Sequence, residues 1–203
     1  MKNSLLQEYR VTVFDKSVDG ILGIELRHVH TDFVISVFSC YLSPENSPWG
    51  REANSFFGHL LAQLYLQSHS DLLFIGGDFN ARIGHEQDCI VNVDDVPTRT
   101  AIDKVKKGHG DEFIDFLKDG KVCVLNGRLC PERDNFTFVS NRGRSVVDYI
   151  IVPHDCLQMC HSFEVMTMSE LMDNFHLYDY YRDSIFKESN NTIWFNVYFV
   201  KKF

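Results

Sequence analysis

The sequence predicts an α+β layered sandwich, and three observations carry that expectation. Runs rich in β-branched and aromatic residues recur along the chain, two helical stretches stand between them, and no internal repeat or low-complexity segment interrupts the pattern. At 203 residues the chain is long enough to bury one sizeable core, so a single domain over 1–203 is expected.

The elements follow in order. "GILGIEL" (20–26) and "DFVISVFSCYL" (32–42), separated by the polar "RHVHT", predict a strand pair. Pro44 and Pro48 then mark a turn region. Beyond it Phe56, Phe57, Leu60, Leu61 and Leu64 recur at helical spacing, which predicts an amphipathic helix over about 54–68. "DLLFIGG" lacks polar alternation, the pattern of a strand covered on both faces. Residues 84–107 are polar and contain Pro97, so a surface loop with a short basic turn is expected there. "GDEFIDFLKDG" predicts a second helix ended by Gly120, and "KVCVLN" the strand after it. "FTFVS" and "SVVDYIIV" flank a turn containing Gly143 and predict a hairpin over 136–152. The chain is then polar until "TIWFNVYFV" (192–200), the last expected strand.

Composition narrows the functional classes. A net charge of -8 argues against a general electrostatic grip on nucleic acid, so any such contact must be local. Lys104, Lys106 and Lys107, and Arg142 and Arg144 in "SNRGRS", are the available clusters. No apolar run approaches the roughly 18 residues needed to cross a bilayer, and the start lacks a secretory core, which predicts no membrane partner and an intracellular protein. The six cysteines are accordingly expected to be reduced. Cys156 and Cys160, with His154 and His161 near, have a spacing zinc can use, but core thiols and surface imidazoles are the expected explanation.

Two carboxylates stand out. Asp78 follows the buried strand and two glycines that let the backbone turn tightly, and Asn80 lies two residues on. A carboxylate there can ligate a metal, act as a general base or orient a water, although Gly, Asp and Asn are also the ordinary residues of a turn. Asp148 sits inside "SVVDYIIV", where alternation puts it on a face with Val146, Ile150 and Val152. An ionised carboxylate among such neighbours needs a partner.

Together "GGDFNARIG", "YLSPENSPWG", "LNGR" (125–128) and "FTFVSNRGRSVVDYIIV" resemble the endonuclease/exonuclease/phosphatase superfamily, and within it the endonucleases of non-LTR retrotransposons and host proteins derived from them. The resemblance implies a four-layer α/β/β/α sandwich of two mixed sheets, with a Mg²⁺-dependent phosphodiesterase site at the strand ends. On that pattern Asp78 orients or deprotonates the attacking water and Asn80 holds the scissile phosphate. Tyr41 approaches the phosphate, and Asp148 pairs with a catalytic histidine. Thr137 lies beside the bound DNA strand, and the hairpin tip with Arg142 and Arg144 touches the DNA groove.

The chain departs from the family in two places. The family's opening strands, which bring an Asn and a metal-binding Glu, have no counterpart in the residues before "GILGIEL", and neither Glu8 nor Glu25 fills the gap. One sheet is therefore expected to lack its first strands and to offer an uncovered edge for self-association. The family's Ser-Asp-His triplet aligns with Ser189, Asn190 and Asn191, with Asn190 at the metal position and Asn191 at that of the histidine; a rival alignment uses Asp183. A neutral amide supplies no charge to Mg²⁺ and exchanges no proton near neutral pH, so impaired catalysis is expected. The alternatives are a rebuilt active site, using Glu25, Glu45 or Asp183 as the second carboxylate, or a non-catalytic DNA-binding module.

Overall fold

Six strands form the main sheet of the computed structural model, which describes residues 7–48 and 52–166 and the strand backbones of 187–189 and 192–200. They are β1 (Tyr9–Asp15), β2 (Ile21–His28), β3 (Val34–Tyr41), β4 (Leu72–Asp78), β7 (Val122–Val124) and β10 (Asp148–Pro153), in the order β1-β2-β3-β4-β10-β7. β3 and β4 run parallel, joined through helix α1 (Ala53–Leu66), and the other neighbours are antiparallel. The sheet is therefore mixed.

Helices α1 and α2 (Gly110–Asp119) cover one face. Phe56, Phe57, Leu60 and Leu64 of α1 meet Phe113, Phe116 and Leu117 of α2 over Phe38, Ile75, Tyr149 and Ile151 of the sheet. Phe113 stacks on Phe79 at 4.7 Å and on Phe57 at 5.5 Å. Each aromatic ring removed from water here contributes about 2–3 kcal/mol, which is why the two helical stripes settle on this face. The opposite face, with Ile35, Leu72 and Val152, packs on Leu157 of the 3₁₀ turn His154–Met159 and on Cys160 and Phe163 of β11 (Cys160–Met166). β11 pairs in parallel with β13 (Thr192–Val200), which also carries β12 (Lys187–Ser189). The helices thus lie on one face of the main sheet, and the 3₁₀ turn and β11 on the other.

Several expectations change in detail. β1 was not foreseen, because its apolar side chains mostly face out: Val11 is 42% and Val13 53% exposed. It is the edge of the main sheet, and its partner β2 begins one residue inside the expected range. The expected hairpin over 136–152 is two structures. β8 (Phe138–Ser140) and β9 (Gly143–Ser145) form a short hairpin, whereas β10 leaves it to enter the main sheet. Val146 accordingly packs on the helical face and not beside Asp148. The polar stretch after Gly84 is not free loop throughout: β5 (Ala81–Ile83) pairs with β6 (Lys106–Gly108), and β11 lies where a polar tail was expected.

Gly120 does not end α2 by left-handed geometry. That conformation falls on Lys121 (φ 48°), while a Cβ at Gly120 would lie 3.1 Å from the Phe116 carbonyl and 3.3 Å from Leu61 and Leu64. The glycine is there for close helix packing.

Buried charge is paired through the long connections. Asp88 and Arg128, both buried, join at 2.7 and 3.1 Å, and Asp103 accepts two bonds from Arg82 at 2.8 and 2.6 Å. Asp15 accepts from Ser17 Oγ at 2.7 Å and meets His59 Nε2 at 2.7 Å, tying β1 to α1. Burial alone would raise the Asp15 carboxyl, but the bonds from His59 and Ser17 prevail and hold it below its ordinary value. Serine and aspartate address the same imidazole nitrogen, so this trio is no proton relay. Burial pushes the Cys156 thiol up to about 11 and that of Cys160 up to about 12, as suits core thiols.

Candidate active site

The register of three adjacent strands brings the predicted residues together. Tyr41 at the end of β3 is opposite Asp78 at the end of β4, and Asp78 is opposite Asp148 at the start of β10. Strands lie about 4.8 Å apart, so the row spans about 10 Å. Residues in register share a face, and the alternation of β3, β4 and β10 makes it the face toward the second sheet. Exposure falls steeply along the row: the Tyr41 ring is 53% exposed, Asp78 is half-buried, and Asp148 is 0% exposed.

Glycine makes this approach achievable. Gly77 has φ 153°, and a Cβ there would fall 1.8 Å from the Cys40 carbonyl oxygen. Any side chain would push β3 and β4 apart where the row forms. Beyond it the Leu42 N–H donates to the Asp78 carbonyl and the Phe79 N–H to Val147, both lacing the strand ends.

Asn80 is in the left-handed region at φ 47°, a conformation asparagine tolerates. Its backbone N–H donates to Asp78 Oδ1 at 3.0 Å, and its side-chain amide donates to the Leu42 carbonyl at 2.8 Å. The amide group carries a second N–H, the one available for a phosphate oxygen. The turn expected from Gly, Asp and Asn is present at these residues. His109 adds a brace: its Nε2–H donates to the Ser43 carbonyl at 2.9 Å, fixing the segment that holds Asn80.

The peptide of Asp148 is held from both sides. Thr137 Oγ1 accepts the N–H of Val147 and of Asp148, each at 3.1 Å, and the Asn126 amide donates to the Asp148 carbonyl at 3.1 Å. Asn126 also accepts the Ile150 N–H at 3.3 Å. Thr137 is 0% exposed, and its hydroxyl contacts the entry of β10. Asn126 carried no expectation beyond its place in the "LNGR" motif. An amide next to Gly127 and opposite the Asp148 strand was the only signal, and alone it resembles a turn.

Arg142 and Arg144 stand exposed on the hairpin as expected. Arg144 lies 4.5 Å from the centre of the Phe136 ring and 3.5 Å from Asp134. Of the lysine cluster, Lys106 is engaged with Glu86 at 2.6 Å and with Asp111. Glu25 is occupied by Arg27 and His69, and Glu45 is exposed. Asn190, Asn191 and Asp183 lie outside the described residues.

Mg²⁺ prefers near-octahedral oxygen ligation, usually with one or two carboxylates. Asp78 and Asp148 supply two, but among the described residues no group of three His, Cys, Asp or Glu side chains gathers at any point.

The large mixed sheet with its two helices is a mixed α/β fold similar to the endonuclease/exonuclease/phosphatase fold. An AP endonuclease from Leishmania major shares it, with a TM-score of 0.55 at 11% identity over 78% of this chain and 57% of that one. A 3'-5' exonuclease from Neisseria meningitidis gives a TM-score of 0.47 at 15% identity over 75% and 60% of the two chains. The chain thus spans less than two thirds of either protein. None of the curated proteins matches the chain. A family model does, over residues 35–170, and the chain belongs to the endonuclease-reverse transcriptase family. No helix among the described residues is long and apolar enough to cross a membrane.

Proposed function

We propose that this chain is a retrotransposon-derived homologue of a Mg²⁺-dependent DNA endonuclease that keeps the water-orienting and phosphate-holding half of the site and has lost most of its catalytic power. The observation that carries the reading is the register row Tyr41, Asp78, Asp148 with Asn80 beside it. Asp78 is the one half-buried carboxylate there, able to accept a proton from water or to orient it. Asn80 offers an N–H to a phosphate oxygen, and the Tyr41 hydroxyl can approach the same group.

The proposed loss rests on chemistry at the far end of the chain. Asn190 and Asn191 stand where the family places an acid and a histidine, and loss of general acid-base catalysis costs about 10²–10⁴ in rate. DNA is the proposed partner, met at Arg142 and Arg144.

Purified protein incubated with supercoiled plasmid and Mg²⁺ tests this. The expected result is no nicking above a buffer control. Efficient nicking that EDTA and Asp78→Ala both abolish would establish a rebuilt site and overturn the proposed loss.

A further inference from the structure

Strand β1 is an edge with little to keep another strand away. Among the described residues no strand lies on its outer side, and Arg10, Val11, Thr12 and Val13 are all exposed. Natural edges are usually guarded by lysine, proline, an inward charge or a bulge. β1 contains no lysine or proline, and its guards, a bulge between Val13 and Asp15 and the buried charge of Asp15, stand at one end.

The main-chain groups of the strand can be assigned to its two sides. The Val29 N–H donates to the Glu8 carbonyl at 2.8 Å, so Glu8 turns its peptide groups toward β2. Alternation then turns those of Arg10 and Thr12 the same way, and those of Val11 and Val13 outward. The side chains of Val11 and Val13 stand beside Leu26 and Ile24 of β2, on the face toward the second sheet.

We infer that two copies of this chain pair through β1, antiparallel about a two-fold axis at Thr12, and so join their main sheets into one. In that register each Val11 N–H donates to the Val13 carbonyl of the second copy, and each Val13 N–H returns a bond to the Val11 carbonyl. Exposed valine covers exposed valine, and Thr12 faces Thr12, both favourable cross-strand pairs. Arg10 comes opposite the Phe14 ring, and Glu8 is carried toward Lys16 of the second copy. Other two-fold registers are poorer. A centre on Arg10 opposes two guanidinium groups, a centre on Val11 leaves Glu8 against Phe14, and a centre on Val13 runs the bulge into the ladder. The edge is thus self-complementary in one register, which is what selects a second copy as its occupant. β2 and β3 separate β1 from the strand that carries Asp78, so the pairing leaves the row open and does not depend on its chemistry.

Sedimentation velocity on the full chain over a range of concentrations is the test, and monomer and dimer in exchange are expected. Val11→Pro removes an outward N–H that makes no bond in its own sheet. By symmetry the dimer loses two bonds, so its dissociation constant should rise about tenfold or more while the circular dichroism of the monomer is kept. Val11→Lys with Val13→Lys should act likewise, and replaces the proline variant if that one does not fold. Cysteine reads the register. Thr12 occupies a non-hydrogen-bonded position of the new pair, where α-carbons approach to about 4.5 Å, so Thr12→Cys should link two copies under oxidised glutathione and Arg10→Cys should not. A monomer at every concentration, a dimer that neither the proline nor the double lysine variant weakens, or equal cross-linking of the two cysteine variants overturns the inference.

Discussion

The strand-end row and the hairpin arm are built to opposite specifications, although the family resemblance assigns both to one substrate. At the row, Asp78, Asn80 and Asp148 are fixed through main-chain geometry: parallel register, a glycine in contact with a carbonyl, and a threonine and an asparagine that hold one peptide. At the arm, two strands of three residues each carry Arg142 and Arg144 into solvent. The Arg144 contacts to Phe136 and Asp134 are exposed and worth no more than about 1 kcal/mol each. Chemistry needs atoms placed to a fraction of an ångström, whereas following a groove rewards a part that can yield.

Breaking the row should therefore be costly. Gly77→Ala puts a Cβ against the Cys40 carbonyl at a backbone angle that alanine seldom adopts, and overpacking plus strain amounts to about 3 kcal/mol or more. Urea unfolding should show that loss, with exchange of the β3 and β4 amides accelerated. Wild-type stability in this variant would mean the row does not depend on that close approach.

A smaller effect sharpens the same contrast. Thr137→Val keeps the shape of a wholly buried side chain but removes the acceptor for two N–H groups, at a cost of about 2 kcal/mol. Thr137→Ser keeps the oxygen and should recover most of the loss. If valine keeps wild-type stability and serine loses it, the methyl group and not the hydroxyl bond is what matters.

How much of this was legible in the sequence follows from what each element depends on. Both helices and strands β2, β3 and β4 were readable because their apolar patterns are local: Phe56, Phe57, Leu60 and Leu64 declare a face without reference to anything else. β1 was not, since an edge strand buries little and its pattern is weak. The division between β9 and β10 was hidden because Val146 and Val147 continue the β-branched run, and only the tertiary demand that Asp148 meet Asp78 breaks it. The site followed the same rule. Asp78, Asn80 and Asp148 are unusual residue types in apolar company, so they announce themselves. Thr137, Asn126 and His109 act through backbone groups that are distant in sequence, and nothing local distinguishes them from ordinary turn or core residues.

The arm should reveal itself by what it leaves unchanged. Arg142→Ala with Arg144→Ala removes two exposed guanidinium groups, one cation–π contact and one exposed ion pair, so unfolding free energy should move by no more than about 1 kcal/mol. Duplex DNA binding, if the arm reaches the backbone as proposed, should lose affinity and salt dependence together. Each phosphate contact contributes about 0.9 to the slope of log affinity against log salt, so removing two should flatten it by roughly 1.8. Fluorescence anisotropy at several salt concentrations measures this directly. An unchanged slope would remove the arm from the DNA interface, and a large loss of stability would show that it is part of the scaffold after all. A flattened slope with intact folding would instead separate the two regions: the row holds the geometry of a phosphodiester site, and the arm supplies charge that the acidic remainder of the surface does not.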